Sequence, residues 1–166
     1  ADETPAGEPA WGDSRPEEGD VEQGGAEAEH EWRDDGHRLG VDQYAADPLN
    51  LFVVVESGDH HASILDGDKL ERLARFPTRY ALHGGPKFTP DGRYVFFASR
   101  DGWVTKYDLW NLKTVAEVRA GINTRNIAVS GDGRWVIAGN YLPHTLVVLD
   151  ARDLSLVKLV PVADKS

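Results

Sequence analysis

The sequence predicts an all-β fold, a partial β-propeller of about three four-stranded blades. The turn Asp91-Gly92-Arg93 and the apolar run after it return 41 residues later as Asp132-Gly133-Arg134 and a second apolar run. A period of about 40–45 residues is typical of propeller blades. Turn signals such as Asp66-Gly67 and Asp101-Gly102 separate short apolar runs, and no stretch keeps a helical hydrophobic period.

The predicted strands fall into three units that align with one another. They cover residues 51–56, 62–65 and 70–76 in the first unit, 87–88, 94–98, 104–108 and 114–118 in the second, and 126–129, 135–138, 146–150 and 157–160 in the third. One predicted strand in each unit ends on an aspartate, namely Asp66, Asp108 and Asp150, which begins the turn to the outer strand. The alignment of three units supports the propeller prediction more strongly than a single repeat would.

Three blades do not close a ring, because closed propellers typically have about four to eight blades. Two broad sheet faces would then stay uncovered, and such faces favour aggregation. The sequence therefore predicts either a piece of a longer propeller or self-association through the open blade faces. The chain starts at Ala1 without methionine, which also indicates processing or a fragment.

The charge is concentrated in the first part of the chain. Residues 1–45 hold 14 acidic and 3 basic residues, a net charge of −11, whereas the rest carries +1. We predict a disordered acidic leader over residues 1–46, a propeller over 47–163 and a short C-terminal end over 164–166. Neither part has the basic footprint of a nucleic-acid-binding protein.

Two composition features exclude further classes. The chain has no cysteine, which excludes disulfides, thiolate zinc sites and the Cys-x-x-Cys-His attachment of a c-type haem. No apolar run approaches the roughly 18 residues of a membrane helix, so we expect no membrane insertion.

Four polar or aromatic residues occupy repeat positions that face one rim, and Lys87 is expected to approach the same rim from the inner strand. His83 and Arg125 precede the predicted inner strands of adjacent blades, nine residues before Gly92 and eight before Gly133. Arg100 and Tyr141 follow the second strands of these blades, and each lies seven residues after the arginine of the repeated turn. The predicted rim set is His83, Lys87, Arg100, Arg125 and Tyr141.

These residue types indicate a particular ligand chemistry. A neutral imidazole can bind a metal ion, and a guanidinium can bind a carboxylate through two hydrogen bonds. Gly84 and Gly85 remove side chains next to His83, so a flat group is expected to lie close to the backbone. A metal in a planar ring that bears several carboxylates would use all of these features. Taken singly, each histidine or arginine is more often structural, and only their convergence favours a site.

Other candidate residues carry weaker signals. His60 and His61 sit in a turn that we interpret as solvated, although one of them could face the rim, and His144 is similar. The chain contains neither a phosphate-binding Gly-x-x-x-x-Gly-Lys loop nor a Gly-x-Ser-x-Gly nucleophile elbow. Hydrolysis therefore has no visible nucleophile.

The segment HGGPKFTPDGRYVFFASRDG, with DLW and AGINTR after it, resembles the haem d1 domain of the cytochrome cd1 nitrite reductase family over roughly residues 46–163. Within the family, the spelling is most like the dihydro-haem d1 dehydrogenase branch. The resemblance implies an eight-bladed parent propeller that binds haem d1 at its centre. It implies that His83 is the axial ligand of the iron, that Arg100 and Arg125 hold carboxylates of the macrocycle, and that Lys87 and Tyr141 belong to the same pocket.

The resemblance also implies a periplasmic role in denitrification, the oxidation of dihydro-haem d1 to haem d1. The expected partners are haem d1 or its dihydro precursor, and nitrite reductase is a candidate protein partner. Two alternatives stay open: a fragment of nitrite reductase itself, and a non-enzymatic repeat module that binds a protein or carries haem d1. We expect no turnover from the chain alone, since a full domain would need further blades and this chain has no c-type haem.

Overall fold

The computed structural model describes residues 44–162, which form three antiparallel sheets. Blade 1 comprises β1 (Leu51–Glu56), β2 (His61–Asp66) and β3 (Arg72–Pro77). Blade 2 comprises β4 (Leu82–Phe88), β5 (Tyr94–Ser99), β6 (Trp103–Asp108) and β7 (Lys113–Arg119). Blade 3 comprises β8 (Asn123–Val129), β9 (Trp135–Leu142), β10 (Thr145–Asp150) and β11 (Leu156–Pro161). Nearly all of the predicted leader, and all of the predicted C-terminal end, lie outside the described residues.

The all-β prediction is confirmed. Blade 1 has within residues 44–162 the three strands predicted for the first unit, one fewer than a four-stranded blade. Two strands of the other blades differ from the prediction in their bounds. The inner strand β4 begins at Leu82 rather than at Lys87, and β9 continues past Ala138 to Leu142. In β4, glycines and a bulge interrupt the alternation of apolar residues, so the strand is not recognisable from its pattern.

The repeated turns have the same geometry in blades 2 and 3. The Oδ1 atom of Asp91 accepts a hydrogen bond from the Arg93 amide at 3.1 Å, and that of Asp132 accepts one from the Arg134 amide at 3.0 Å. The glycine between each pair has a φ of 71°, a conformation that costs glycine little. The sequence repeat therefore reflects one backbone conformation that is built twice.

The three blades stack face to face through two apolar layers. Successive residues of a strand point to opposite faces, and β5 shows this directly. Phe96 packs in the layer between blades 2 and 3, whereas Phe97 packs in the layer between blades 1 and 2. Their side chains are 0% and 2% exposed. Both faces of blade 2 are covered, which explains why YVFFA is apolar at every position.

The outer faces of blades 1 and 3 are exposed. Phe52 and Val54 of blade 1 are 52% and 43% exposed, although the aligned residues of blade 2, Val95 and Phe97, are buried. On the far side of blade 3, Ile137 is 36% exposed. The two open faces predicted from the sequence are thus present. Residues 44–162 contain no helix that is long and apolar enough to cross a membrane.

Candidate functional site

Two irregular strands meet at the rim that the sequence predicts. In β4, the pairing with β5 shifts between His83 and Lys87, so the three residues between them bulge out of the ladder. In β8, Arg125 has no partner in β9, because the pairing shifts between Thr124 and Asn126. Bulges redirect side chains and backbone groups and are frequent next to functional sites. Here two bulges on adjacent blades bring His83 and Arg125 together.

The His83 ring is anchored to the backbone of blade 3. Its Nδ1 atom lies 2.7 Å from the carbonyl oxygen of Arg125. A carbonyl can only accept a hydrogen bond, so Nδ1 must carry the proton and donate it. In the neutral ring the lone pair is then on Nε2, and the side chain is exposed. Metal-binding histidines are commonly held in this way, with the second nitrogen donating to a carbonyl or carboxylate.

Gly84 allows the two strands to approach. Its φ is +82°, and a Cβ atom placed on it would lie 2.9 Å from the Arg125 carbonyl oxygen and 2.7 Å from Oδ1 of Asn126. Gly85 has a similar φ of +70°, but only Nζ of Lys87, at 3.8 Å, comes near a Cβ there. The prediction that both glycines clear space for a flat group is wrong for Gly84, because the backbone of β8 fills that space.

The guanidinium of Arg125 lies against the aromatic side chain that follows it on the rim. Its central carbon is 5.4 Å from the ring centroid of Tyr141, a distance at which a cation is attracted to a π system. The Tyr141 ring in turn lies 5.3 Å from the ring of His144. Tyr141 is 54% exposed. The structure thus brings Arg125, Tyr141 and His144 into one row beside His83.

Arg100 and Lys87, the other two predicted site residues, both belong to blade 2 but make different contacts. Arg100 follows β5 and donates its backbone N–H to the carbonyl of Ala81 at 3.0 Å, which places it at the end of blade 2 where β4 begins. Its side chain is exposed. Lys87 folds back over the bulge and donates from Nζ to the carbonyl oxygen of Gly84 at 3.0 Å.

His60, in the turn before β2, and His61, the first residue of β2, are each bonded to a backbone group. Nδ1 of His60 accepts a hydrogen bond from the Ala81 amide at 3.3 Å, and its ring lies 5.1 Å from that of Tyr80. His60 is therefore half-buried and bonded, although the turn residues Gly58 and Asp59 before it are exposed. Nδ1 of His61 lies 2.8 Å from the carbonyl oxygen of Asp59. Neither ring contacts His83 or Arg125 within the described contacts.

A cleft of about 330 Å³ opens beside His83 on the side of blade 1. Val53 and Val55 of β1 form one wall, and Gly85, Pro86 and Phe97 of blade 2 line the other. The imidazole therefore stands between an apolar cleft on one side and the Arg125–Tyr141 row on the other. A ligand with an apolar plane and acidic substituents fits both surroundings.

Comparison with known proteins agrees with these features. Residues 46–166 match the family model described as Cytochrome D1 heme domain. The chain belongs to the cytochrome D1 heme domain family. Over 122 residues it is 77% identical to the dihydro-heme d1 dehydrogenase of Pseudomonas aeruginosa. The matched region covers 74% of this chain and 25% of that protein. It is also 37% identical to Protein NirF of the same organism over 68% of this chain and 29% of that protein.

A solved structure supports the same assignment for this member of the heme d1 domain family. The structure of the dihydro-heme d1 dehydrogenase NirN in complex with DHE matches with a TM-score of 0.72 and 77% identity. The match covers 74% of this chain and 26% of that one. The chain therefore spans about a quarter of the length of the curated relatives it matches. The predicted family and the partial propeller fold are confirmed.

Proposed function

We propose that this chain is the part of a haem d1-binding propeller that provides the axial ligand and part of the carboxylate recognition. The contact between His83 Nδ1 and the Arg125 carbonyl carries the proposal, since it leaves Nε2 as the nitrogen available to a metal. An iron tetrapyrrole of the haem d1 type, when bound, supplies the redox centre. The chain itself supplies a ligand, charge complementarity and a shaped surface.

Each rim residue has a proposed role. Nε2 of His83 would bind the iron. The guanidiniums of Arg100 and Arg125 would hold carboxylates of the macrocycle. The exposed Tyr141 would hold the Arg125 side chain in place through its aromatic ring. Lys87 would add positive charge near His83 while its ammonium holds the bulge closed.

We extend the proposal to the longer protein of which such a chain would form part. Its reaction would be the conversion of dihydro-haem d1 to haem d1, because the chain is 77% identical to a dihydro-heme d1 dehydrogenase over the matched region. The site would be periplasmic. A protein partner such as nitrite reductase would receive the product. A fragment of nitrite reductase itself is the alternative, and the identity to the dehydrogenase favours the first proposal.

Titration with haem d1 tests the binding site. We expect the wild-type chain to shift the visible spectrum of the pigment, and we expect His83→Ala to lose the shift that axial ligation produces. His60→Ala is the matched control, because Nδ1 of His60 accepts from the Ala81 amide, so that Nε2 carries the proton and has no lone pair for a metal. It should keep the wild-type spectrum. A wild-type chain that leaves the spectrum unchanged would reject haem d1 binding and favour a protein-interaction module.

A further inference from the structure

A single residue of blade 3 serves two different groups at the rim. The side chain of Arg125 stacks on Tyr141, while its backbone carbonyl accepts the hydrogen bond from His83. The carbonyl is turned toward blade 2 because Arg125 is the bulged residue of β8 and has no partner in β9. The two functions of Arg125 can therefore be separated by mutation.

We propose that the backbone of Arg125 is a positioning element for His83, which fixes its tautomer and ring direction across the junction between blades 2 and 3. Gly84 is the residue that makes this contact possible. This inference rests on the proposed function of His83 as an axial ligand. It adds that the tautomer and orientation of the His83 ring are fixed in the pigment-free chain.

The argument begins with donors and acceptors. The Arg125 oxygen cannot donate, so the proton must lie on Nδ1 of His83. His60 shows the reverse case in the same chain, because its Nδ1 accepts from the Ala81 amide and its proton must therefore lie on Nε2. Two histidines of one molecule thus have opposite tautomers, each set by one backbone partner.

The close approach of the strands depends on the missing side chain at position 84. A Cβ there would meet the Arg125 oxygen at 2.9 Å and Asn126 Oδ1 at 2.7 Å, so β4 and β8 would have to separate. Such a separation would lengthen the contact of 2.7 Å between His83 and Arg125. The His83 ring would then be free to turn and to take the other tautomer.

Nuclear magnetic resonance of the pigment-free chain tests the inference directly. In long-range proton–nitrogen spectra at alkaline pH, where imidazoles are neutral, we expect His83 to show a protonated Nδ1 and an unprotonated Nε2. His60 should show the opposite pattern in the same spectrum. A wild-type His83 with its proton on Nε2 would overturn the inference, whether or not the chain binds haem d1.

Three variants separate the backbone role from other effects. Gly84→Ala should give a mixture of His83 tautomers and reduce haem d1 affinity about 10–100-fold, the usual cost of losing a partner of a metal ligand. Gly85→Ala is the matched control, because it shares the positive φ but meets no atom closer than 3.8 Å. It should keep the wild-type tautomer. Arg125→Ala keeps the carbonyl, so it should also keep the tautomer.

The outcomes distinguish the two proposals. Unchanged His83 signals in a folded Gly84→Ala variant would reject the positioning role. Loss of the Nδ1 proton in Arg125→Ala would also reject it, because the side chain and not the carbonyl would then set the ring. If wild type shows the expected tautomer but binds no haem d1, the positioning of His83 stands and the proposed function fails.

Discussion

Arg100 and Arg125 at the rim have different electrostatic surroundings from Arg79, Arg93 and Arg152, which pair with carboxylates of the protein. Arg79 pairs with Glu117 at 2.7 Å, and Arg93 pairs with Asp108 at 3.1 Å. Arg152 pairs with Asp150 at 2.8 Å. At the rim, by contrast, no carboxylate of residues 44–162 forms an ion pair with Arg100 or Arg125.

The difference shows which of these guanidiniums already bind a carboxylate of the protein. Arg79 donates from two nitrogens to Glu117 and lies 4.0 Å above the Trp103 ring, so its hydrogen-bonding fork is used within the protein. The fork of Arg125 is matched by no acidic group of the described chain, although the side chain is held by Tyr141. An arginine that is held in place but has no acidic partner is suited to bind a carboxylate.

The largest effect should follow from removing a carboxylate that satisfies a paired arginine. The Asp108 side chain is 3% exposed and accepts hydrogen bonds from Trp110, Asn111 and Arg93. Asp108→Ala should lower the free energy of unfolding by about 3 kcal/mol, because it leaves these donors without their acceptor. Urea unfolding at neutral pH measures the loss.

Asp150→Ala is the matched variant at the aligned position of blade 3. Its partner Arg152 is 87% exposed, so water can replace the lost carboxylate and the destabilisation should be clearly smaller. Equal losses for Asp108→Ala and Asp150→Ala would show that the turn, and not the buried ion pair, dominates the stability.

Asp108 should also affect how stability depends on pH in the acid range. Burial acts to raise the pKa of Asp108, but hydrogen bonds from Asn111 and Arg93 outweigh it and hold the pKa below the usual range. The stabilisation is therefore present above the pKa of an unfolded aspartate and is lost as pH falls through the folded pKa. Asp108→Ala should show a shallower acid-side loss of stability than wild type.

The fold could be predicted because its signals are local. The Asp-Gly turns and the aspartates Asp66, Asp108 and Asp150 each bond to backbone amides a few residues away. Their spacing in the sequence is therefore their spacing in the structure. The sequence does not show which side chains of a strand point to which neighbouring blade, because Phe96 and Phe97 are both apolar and pack against different blades.

The site could be predicted only in part. Antiparallel pairing places the start of one strand beside the end of the next, so the shared rim of His83, Arg100, Arg125 and Tyr141 follows from their repeat positions. The bond between His83 and Arg125 joins residues 42 apart and depends on a bulge in each strand. A backbone carbonyl has no signature in a sequence. The glycine pair Gly84-Gly85 indicates a close approach to the backbone, but the sequence favours a flat ligand there and the structure places β8 against Gly84.

An intermediate effect should follow from removing an unpaired rim arginine. Arg125→Ala should weaken haem d1 binding by about 1–3 kcal/mol, because a carboxylate of the ligand would lose its charged hydrogen bonds. Arg125→Lys should recover only part of the loss, since an ammonium lacks the planar fork. Spectroscopic titration of each variant gives the affinity.

Arg79→Ala is the control from the paired group. It should lower stability through the loss of Glu117 and Trp103 contacts and leave haem d1 affinity unchanged. If Arg79→Ala weakened binding as much as Arg125→Ala, pairing would not distinguish structural from ligand-binding arginines, and the contrast between the paired arginines and Arg125 would fail.

The smallest effect concerns a buried cation that has a carbonyl as its partner. Lys106 is 5% exposed, donates from Nζ to the Arg152 carbonyl at 2.9 Å, and lies 3.8 Å above the Tyr94 ring. The aligned positions in the other blades are Ile64 and Val148, so an apolar residue is compatible with the blade at this point. Burial lowers the pKa of Lys106, and nearby Asp108 opposes the shift only in part.

The sign of the pH effect follows from that lowered pKa. Between the folded pKa and the unfolded value of about 10.4, the unfolded chain binds more protons, so the free energy of unfolding rises with pH in this window. Lys106→Met cannot titrate, and its stability should rise less over the same window in urea unfolding. The series should stop below about pH 10, because burial raises the pKa of Tyr107 to about 12 and tyrosine ionisation in the unfolded chain would then lower stability. A slope of stability against pH that is unchanged in Lys106→Met would show that Lys106 keeps an ordinary pKa. The Arg152 carbonyl and the Tyr94 ring would then stabilise the charged ammonium enough to offset its burial.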